Sequence, residues 1–366
     1  MPANAPLDID VELGARSYRV RVGHGISKTT AAEMIRPGEH LLVSEPRVMR
    51  QHGQTLTHLL GTKIKATLIV PSGEQSKSPS RLIRLVEDML AARIDRRTHV
   101  IAFGGGVIGD LAGCAAALAL RGLPLIHIPT TLLAQVDSAI GGKTGVNSRL
   151  GKNLIGVFYQ PRGVICDTAW LASLPAREMR AGYAEIYKYA LLGDAAFLTW
   201  LETNAADVLR REPAALAYAI ATCCRHKARI TSEDERDNDR RALLNLGHTF
   251  AHALEQAQQY RRALIHGEAV AMGIVMAAHL SAHLGMIARD DVVRIRHHLK
   301  ATGLPTRPAS LPPWPDFIAT MRRDKKAEEG RLTFVLLRAL GQAEVVTDVH
   351  EGAVRQAVAA AMAESC

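Results

Sequence analysis

Aromatic residues make up only 4% of this 366-residue chain, and no Lys/Arg tract stands among them. Without stacking platforms or a basic stripe, no nucleic-acid partner is expected. The five cysteines (Cys114, Cys166, Cys223, Cys224, Cys366) form no CxxC and no regular framework. They fit reduced thiols, which predicts a cytoplasmic protein and not a disulfide scaffold. No apolar run is long enough to span a bilayer, and the opening "MPANAPLDIDVELGARSYRV" has no apolar signal core. No membrane association is therefore expected. Internal repeats and low-complexity tracts are missing too.

What remains is the composition of a folded protein, 48% apolar and 22% charged. At this length one compact core is too small a plan, and two domains are expected. The net charge of +9 suits an anionic partner, which without nucleic acid means a phosphorylated or carboxylated small molecule.

The two halves differ in texture. In the first, "HLLVSE" (40–45), "KATLIV" (65–70), "THVIAFGGG" (98–106), "LPLIHIPTT" (123–131) and "GVICD" (163–167) read as buried strands. Helical patterns at 80–94 and 108–120 lie between them. This alternation predicts an α/β N-terminal domain with a parallel sheet and a Rossmann-like site. From 173 onward long Ala/Leu segments predict an all-α C-terminal domain, with a hairpin around Gly341 and a last helix. The expected domains are 1–174 and 175–366.

"AFGGGVIGDLAG" (102–113) sets three glycines between a strand and a helix. Glycines allow a sharp turn and close ligand approach, and a helix N-terminus offers N–H groups to a phosphate. By itself such a turn is as often only structural. Two more loops leave strand C-terminal ends, the ligand edge of open α/β sheets. "PSGEQSKS" carries Glu74 and Lys77; "IPTTLLAQVDSAIGGKTGVNSRLGKNLIG" carries Asp137, Lys143, Lys152 and Asn153. Glu45, after the strand 40–44, is placed to accept ribose hydroxyls. Together they predict a nucleotide-like site.

"RALLNLGHTFAHALE" (241–255) reads as one helix on which Arg241, Asn245, His248 and His252 form a stripe roughly 60° wide. A solvent-facing stripe is usually Lys/Glu-rich, and this one is not. A lone imidazole is usually a satisfied core residue, and even an i, i+4 pair is often coincidental. Two further segments favour a metal: His266 opens another apolar helix, and Glu185 with Lys188 marks an apolar face at i, i+3. A buried Glu is costly unless paired or metal-bound. A Glu with two His from separate helices matches a catalytic zinc site. Lys188, Lys227 and Arg241 then suit clamps for phosphate and carboxylate.

"GGGVIGDLAG", "IPTTLLAQVDSAIGGKTGVN", "AEIYKYALL", "LNLGHTFAHALE", "HGEAVAMG" and "RRDKKAEEGRLTFVLL" resemble the 3-dehydroquinate synthase family in order and spacing. With the similar opener "LGARSYRVRVG", the resemblance covers nearly the whole chain. It implies NAD as cofactor, contacted at Glu45, along Ser72, Gly73, Glu74, Gln75, Ser76 and Lys77, and at the turn Gly106, Val107, Ile108, Gly109 and Asp110. Thr130, Thr131, Lys143, Lys152 and the segment Trp170, Leu171, Ala172 and Ser173 complete that set. Glu185, His248 and His266 are the implied ligands of zinc or cobalt. Asp137, Asn153, Lys188, Lys227, Arg241, Asn245, His252 and Lys326 (or its neighbour Lys325) are the implied substrate and catalytic residues.

Asp239 stands where the family pattern has Gly, and Asp237 where it has Glu, both just before Arg241. Ser173 replaces the more usual Thr and Glu45 the more usual Asp, each keeping its hydrogen-bonding group. The implied reaction converts 3-deoxy-D-arabino-heptulosonate 7-phosphate to 3-dehydroquinate plus phosphate, on the shikimate route to aromatic amino acids. A cytoplasmic homodimer is expected. The rival expectations are another sugar phosphate cyclase, which would change the carboxylate clamp, and an NAD- and metal-dependent alcohol or glycerol dehydrogenase, which would release NADH.

Overall fold

Strands that are apolar on both faces need helices on both faces, and the first part of the chain meets that requirement. The computed structural model describes residues 6–35, 38–60, 63–237, 240–257, 264–322 and 332–363. It divides into two units, Met1–Pro175 with Arg211–Arg236, and Ala176–Arg210 with Asp237–Cys366.

In the first unit β1 (Leu7–Val11), β2 (Tyr18–Gly23), β3 (Glu39–Ser44), β4 (Lys63–Ile69), β5 (His99–Gly104) and β6 (Leu125–Pro129) precede a hairpin of β7 (Lys143–Ser148) and β8 (Gly151–Phe158), then β9 (Gly163–Asp167). Seven of these make one sheet, ordered β1-β2-β9-β6-β5-β3-β4 and parallel except where β1 meets β2. Helices α1 (Ser27–Met34), α2 (Pro46–Leu60), α3 (Pro79–Ala91) and α4 (Gly106–Leu118) cover it. The period-2 rule separates the two layers: Leu41 and Val43 pack with Leu85 and Leu111, whereas Leu42 packs with Leu56, Ile101 and Trp170. Ser78 caps α3 by accepting from the Arg81 amide at 3.3 Å, with Pro79 at the favoured first position.

In the second unit the chain forms α5 (Ala176–Gly193) and α6 (Ala195–Leu209). The next helix, α7 (Pro213–Glu233), belongs to the first unit, so residues 175–366 do not form one continuous domain as expected. Its apolar residues Leu216, Ala219, Ile220 and Cys223 are buried there. The second unit continues with α8 (His248–Ala257), α9 (His266–His283), α10 (Arg289–Ala301), α11 (Trp314–Arg322), the hairpin β10 (Phe334–Ala339) and β11 (Gln342–Val346), and α12 (Glu351–Ala363). Gly341, at φ +85°, makes the expected hairpin turn.

The segment 241–255 is not one helix. Arg240–Asn245 is a short 3-10 stretch, Gly247 sits at φ +78°, and the α-helix begins only at His248. Arg241 and Asn245 therefore do not share a helical stripe with the histidines. The break has a packing cause: a Cβ on Gly273 would lie 2.1 Å from the Gly247 carbonyl oxygen. Helices α8 and α9 cross backbone to backbone at these two glycines. A second close approach occurs at the start of α9, where a Cβ on Gly267 would lie 2.0 Å from the Ala181 oxygen of α5.

Gly273→Ala is therefore expected to lower stability by about 1–3 kcal/mol or more, because backbone cannot move aside as a side chain does. Thermal denaturation followed by circular dichroism checks this; an unchanged melting temperature would contradict the contact.

Candidate metal centre and phosphate cradle

The two glycine contacts decide which side chains meet in the second unit. The Gly267 contact seats the first turn of α9 on α5, one helical turn before Glu185. The Gly247–Gly273 contact brings the start of α8, His248, to the same place. Glu185, His248 and His266 each offer a ligand atom there, all within 4.8 Å of one another. The Glu185 Oε1 atom is 3.6 Å from His248 Nε2 and 3.5 Å from His266 Nε2. A tetrahedral ion with bonds of about 2.0–2.2 Å holds its ligand atoms about 3.3–3.6 Å apart, so this donor set fits a zinc-like ion.

The surroundings orient each donor. His248 Nδ1 lies 3.2 Å from the Leu246 carbonyl oxygen, which turns Nε2 toward Glu185. Lys188 Nζ lies 2.5 Å from Glu185 Oε2, and both side chains are buried. Burial and the Lys188 charge push the His248 imidazole down to about 3, leaving it neutral, the form that ligates metal. Burial works the same way on His266, yet the carboxylates of Glu255 and Glu185 prevail and push it up to about 10. Glu255 did not emerge from the sequence. The available signal was its spacing, seven residues after His248 and three after His252, which puts it on the same face of α8. The His252 ring stands edge-on to His248 at 5.6 Å and beside His266 at 6.3 Å, close to the donor set but outside it. Arg241 is fully buried, and the Asn245 amide donates to the Ala242 carbonyl oxygen at 3.1 Å.

In the first unit α4 starts at Gly106 with Gly105 as its N-cap, a residue with no side chain to bond the first amides. A Cβ on Gly105 would lie 3.0 Å from Thr131 Cγ2, and one on Gly106 would lie 3.0 Å from Ser138 Oγ. The turn is thus glycine-rich for lack of space. Ile108 is core, packed back over Gly104. Lys77, buried, donates to Asp110 Oδ2 at 2.6 Å and to Asn153 Oδ1 at 2.5 Å. Burial raises the Asp110 carboxyl against the downward pull of Lys77. Asn147, a residue the sequence did not single out, ties the loops together. Its amide donates to Glu74 at 2.8 Å, and its Oδ1 accepts from the Asn153 amide at 3.0 Å.

Several expected cofactor residues meet the protein's own groups. Ser76 Oγ donates to the Pro71 oxygen at 2.6 Å, and Ser173 Oγ pairs with His52 Nε2 at 2.6 Å. The side chains of Trp170 and Leu171 are buried, with the Trp170 indole donating to Ser27 at 2.9 Å. Thr130 is buried and its amide donates to Gly104 at 3.0 Å, whereas Thr131 Oγ1 accepts from the Ala134 amide at 3.2 Å. Ser72, Gln75, Lys143 and Ala172 are exposed; Glu45, Gly73, Val107, Gly109 and Lys152 are half-buried. Lys227, from α7, donates to Asp137 through both the carbonyl oxygen at 2.6 Å and Oδ1 at 2.5 Å. Asp137 lies in a π-turn, Ala134–Ser138, a form frequent at functional sites. Lys325, Lys326 and Asp239 lie outside the described residues, and Asp237 takes φ +60°.

Two family descriptions match the chain: 3-dehydroquinate synthase N-terminal over residues 67–181, and 3-dehydroquinate synthase C-terminal over 182–327. The 3-dehydroquinate synthase of Nitrobacter hamburgensis is 48% identical over 373 residues, covering 98% of this chain and 97% of that one. Two solved structures share the architecture. One is 2-epi-5-epi-valiolone synthase from Streptomyces hygroscopicus subsp. jinggangensis 5008 with NAD+ and Zn2+ bound, at 28% identity and TM-score 0.88, over 96% of this chain and 97% of that one. The other is 2-deoxy-scyllo-inosose synthase complexed with carbaglucose-6-phosphate, NAD+ and Co2+, at 26% identity and TM-score 0.85, over 96% and 99%.

If Glu185, His248 and His266 are the ligands, His248→Ala should weaken Zn2+ binding by more than the about 100-fold that an outer partner costs. His252→Ala should keep the metal and lose rate. Elemental analysis after dialysis separates the two; equal zinc in His248→Ala and wild type would exclude the ligand set.

Proposed function

The chain belongs to the 3-dehydroquinate synthase family, and we propose that its metal centre and phosphate cradle carry that family's reaction. This is the conversion of 3-deoxy-D-arabino-heptulosonate 7-phosphate to 3-dehydroquinate and phosphate, a carbon–oxygen lyase step of the shikimate pathway. The observation that carries the reading is the convergence of buried Glu185 and His248 with half-buried His266, beside Lys188. A hydride-transfer site alone has no use for so many phosphate-binding cations.

When bound, NAD supplies a reversible acceptor for a hydride, and a divalent ion supplies a Lewis acid for substrate hydroxyls. The chain's residues do the rest. The uncapped N-terminus of α4 offers backbone N–H groups to the cofactor's pyrophosphate. Lys77, fixed by Asp110, adds positive charge to the same cradle. Arg241 supplies a two-pronged donor for a carboxylate or phosphate, and Lys188 and Lys227 act as point charges. His252, beside the donor set and outside it, moves the proton of the C5 hydroxyl. The C5 alcohol is oxidised, which acidifies the neighbouring C–H, and phosphate leaves by elimination with its own oxygens able to take that proton. The ketone is then reduced again, the ring opens and an internal aldol step closes the carbocycle. The sequence of steps is redox-neutral, so the cofactor is regenerated.

The working form is a cytoplasmic homodimer. Cys114, Cys166, Cys223 and Cys224 are buried thiols not held in disulfides. Strand β8 exposes Leu154, Ile155, Val157 and Phe158 along a stretch without charge, a surface that a second copy would cover. Among the described residues no helix is long and apolar enough to cross a membrane.

Purified protein given the heptulosonate phosphate and a trace of NAD should release phosphate stoichiometrically while NADH stays at trace level. Arg241→Ala should raise KM and lower kcat together, costing about 10- to 1000-fold in kcat/KM. Stoichiometric NADH would replace this reading with a dehydrogenase, and unchanged Arg241→Ala kinetics would remove Arg241 from the site.

A further inference from the structure

Glu255 has no place among the metal ligands, yet it is a carboxylate that is only 4% exposed. Its Oε2 atom lies 3.4 Å from His266 Nδ1, on the side of the ring opposite Nε2, which faces Glu185. His248 has its counterpart in the Leu246 carbonyl oxygen, 3.2 Å from its own Nδ1. The two ligand histidines are therefore held alike: an acceptor behind Nδ1 and the Glu185 carboxylate in front of Nε2.

We propose that Glu255 is a positioning residue for the metal centre. It fixes His266 as the Nδ1–H tautomer and leaves the Nε2 lone pair for the ion. Three observations bear on this. First, His266 needs such a fixture more than His248 does, because it opens α9 and its side chain is 31% exposed against 9%. A ring at a helix start with that much freedom can rotate or present the other nitrogen. Second, a carboxylate behind the ring makes Nε2 a stronger donor than a backbone oxygen does, since it supports the positive charge that coordination places on the ring. Third, burying a carboxylate costs several kcal/mol without a partner, and the Nδ1–H group of His266 is one that uses this position chemically. Two turns of α8 separate His248 from Glu255 and bring Glu255 around behind His266.

The inference rests on the reading that Glu185, His248 and His266 bind the metal, and the two fail in different ways. The experiment measures Zn2+ affinity of the full chain by competition with a chromogenic chelator, the visible spectrum of the Co2+-loaded chain, and melting of the metal-free chain. Glu255→Ala should weaken Zn2+ binding by about 10- to 100-fold, as loss of an outer carboxylate does elsewhere. It should also shift the Co2+ bands as the His266 ring loosens. Glu255→Gln keeps an acceptor of the same shape and should fall between Glu255→Ala and wild type. Wild-type Zn2+ affinity in Glu255→Ala, with any change confined to metal-free melting, would overturn the proposal and leave Glu255 a packing residue. Should Glu255→Ala not fold, Glu255→Gln decides: weaker Zn2+ affinity at unchanged metal-free melting supports the role, and unchanged affinity overturns it. A wild-type chain that binds no Zn2+ would sink the metal centre itself, and this inference with it.

Discussion

A carboxylate at zero exposure sets the terms for the second unit. Glu185 sits inside α5 with no exposed surface, where a bare charge would cost several kcal/mol. Lys188 neutralises it from one turn away, and two imidazoles face it from α8 and α9. Carboxylate and ammonium together leave a site of low net charge, and a divalent cation entering it would displace the proton that the Glu255 and Glu185 carboxylates favour on His266. Replacing such a cluster with apolar residues would often stabilise a fold. Its presence in the core of a helical unit points to chemistry.

Holding three helices close enough for this is a backbone problem before it is a side-chain one. At Gly247–Gly273 and Gly267–Ala181 there is no room for a Cβ, so the helices approach nearer than side-chain packing allows. The 3.5–3.6 Å spacings of Glu185 from the two imidazoles depend on these close crossings. The same device recurs in the first unit. Gly145 and Gly156 face each other across β7 and β8, where a Cβ on Gly156 would lie 2.1 Å from the Thr144 oxygen. That hairpin carries Lys143, Lys152 and Asn153.

These glycines mark the limit of what the sequence reveals. The parallel strands β3, β4, β5, β6 and β9 announce themselves because continuous Val/Ile/Leu runs mean burial on both faces. The metal residues are legible by chemical type, since Glu and His on apolar helices need a reason. Glycine is ambiguous. In 141–156 it suggests a loop, whereas here it permits a tight two-stranded ribbon. In "NLGHTF" it passes for a tolerated helix interior, whereas Gly247 ends one segment and lets another begin. Only the tertiary partner, Gly273 on another helix, decides between them. Strands β1 and β2 carry a plain apolar–polar alternation and were open to recognition from residues 7–23. Helix α7 is different: its pattern shows a helix, but nothing local says that it packs with the sheet of the first unit.

The net charge of +9 suits an anionic partner, yet three lysines expected to meet one are each paired with a carboxylate of their own unit. Lys77 is held by Asp110, Lys188 by Glu185 and Lys227 by Asp137, each at 2.5–2.6 Å. These lysines are already compensated, which is how they can be buried at all. Were a phosphate to bind at any one of these lysines, as the proposed function has it, it would compete with a carboxylate for that ammonium. That costs affinity, since part of the Coulomb gain is spent in loosening an existing pair. It also confers discrimination, because a weak or misplaced anion cannot displace a carboxylate at hydrogen-bond distance. A phosphate carrying close to two charges, delivered at the right distance from other fixed donors, can. The pairs also hold each lysine in one rotamer beforehand, so less side-chain entropy is lost when the ligand arrives. On the proposed reading, anion binding would depend on the placement of these paired charges, with the overall positive balance adding attraction at longer range.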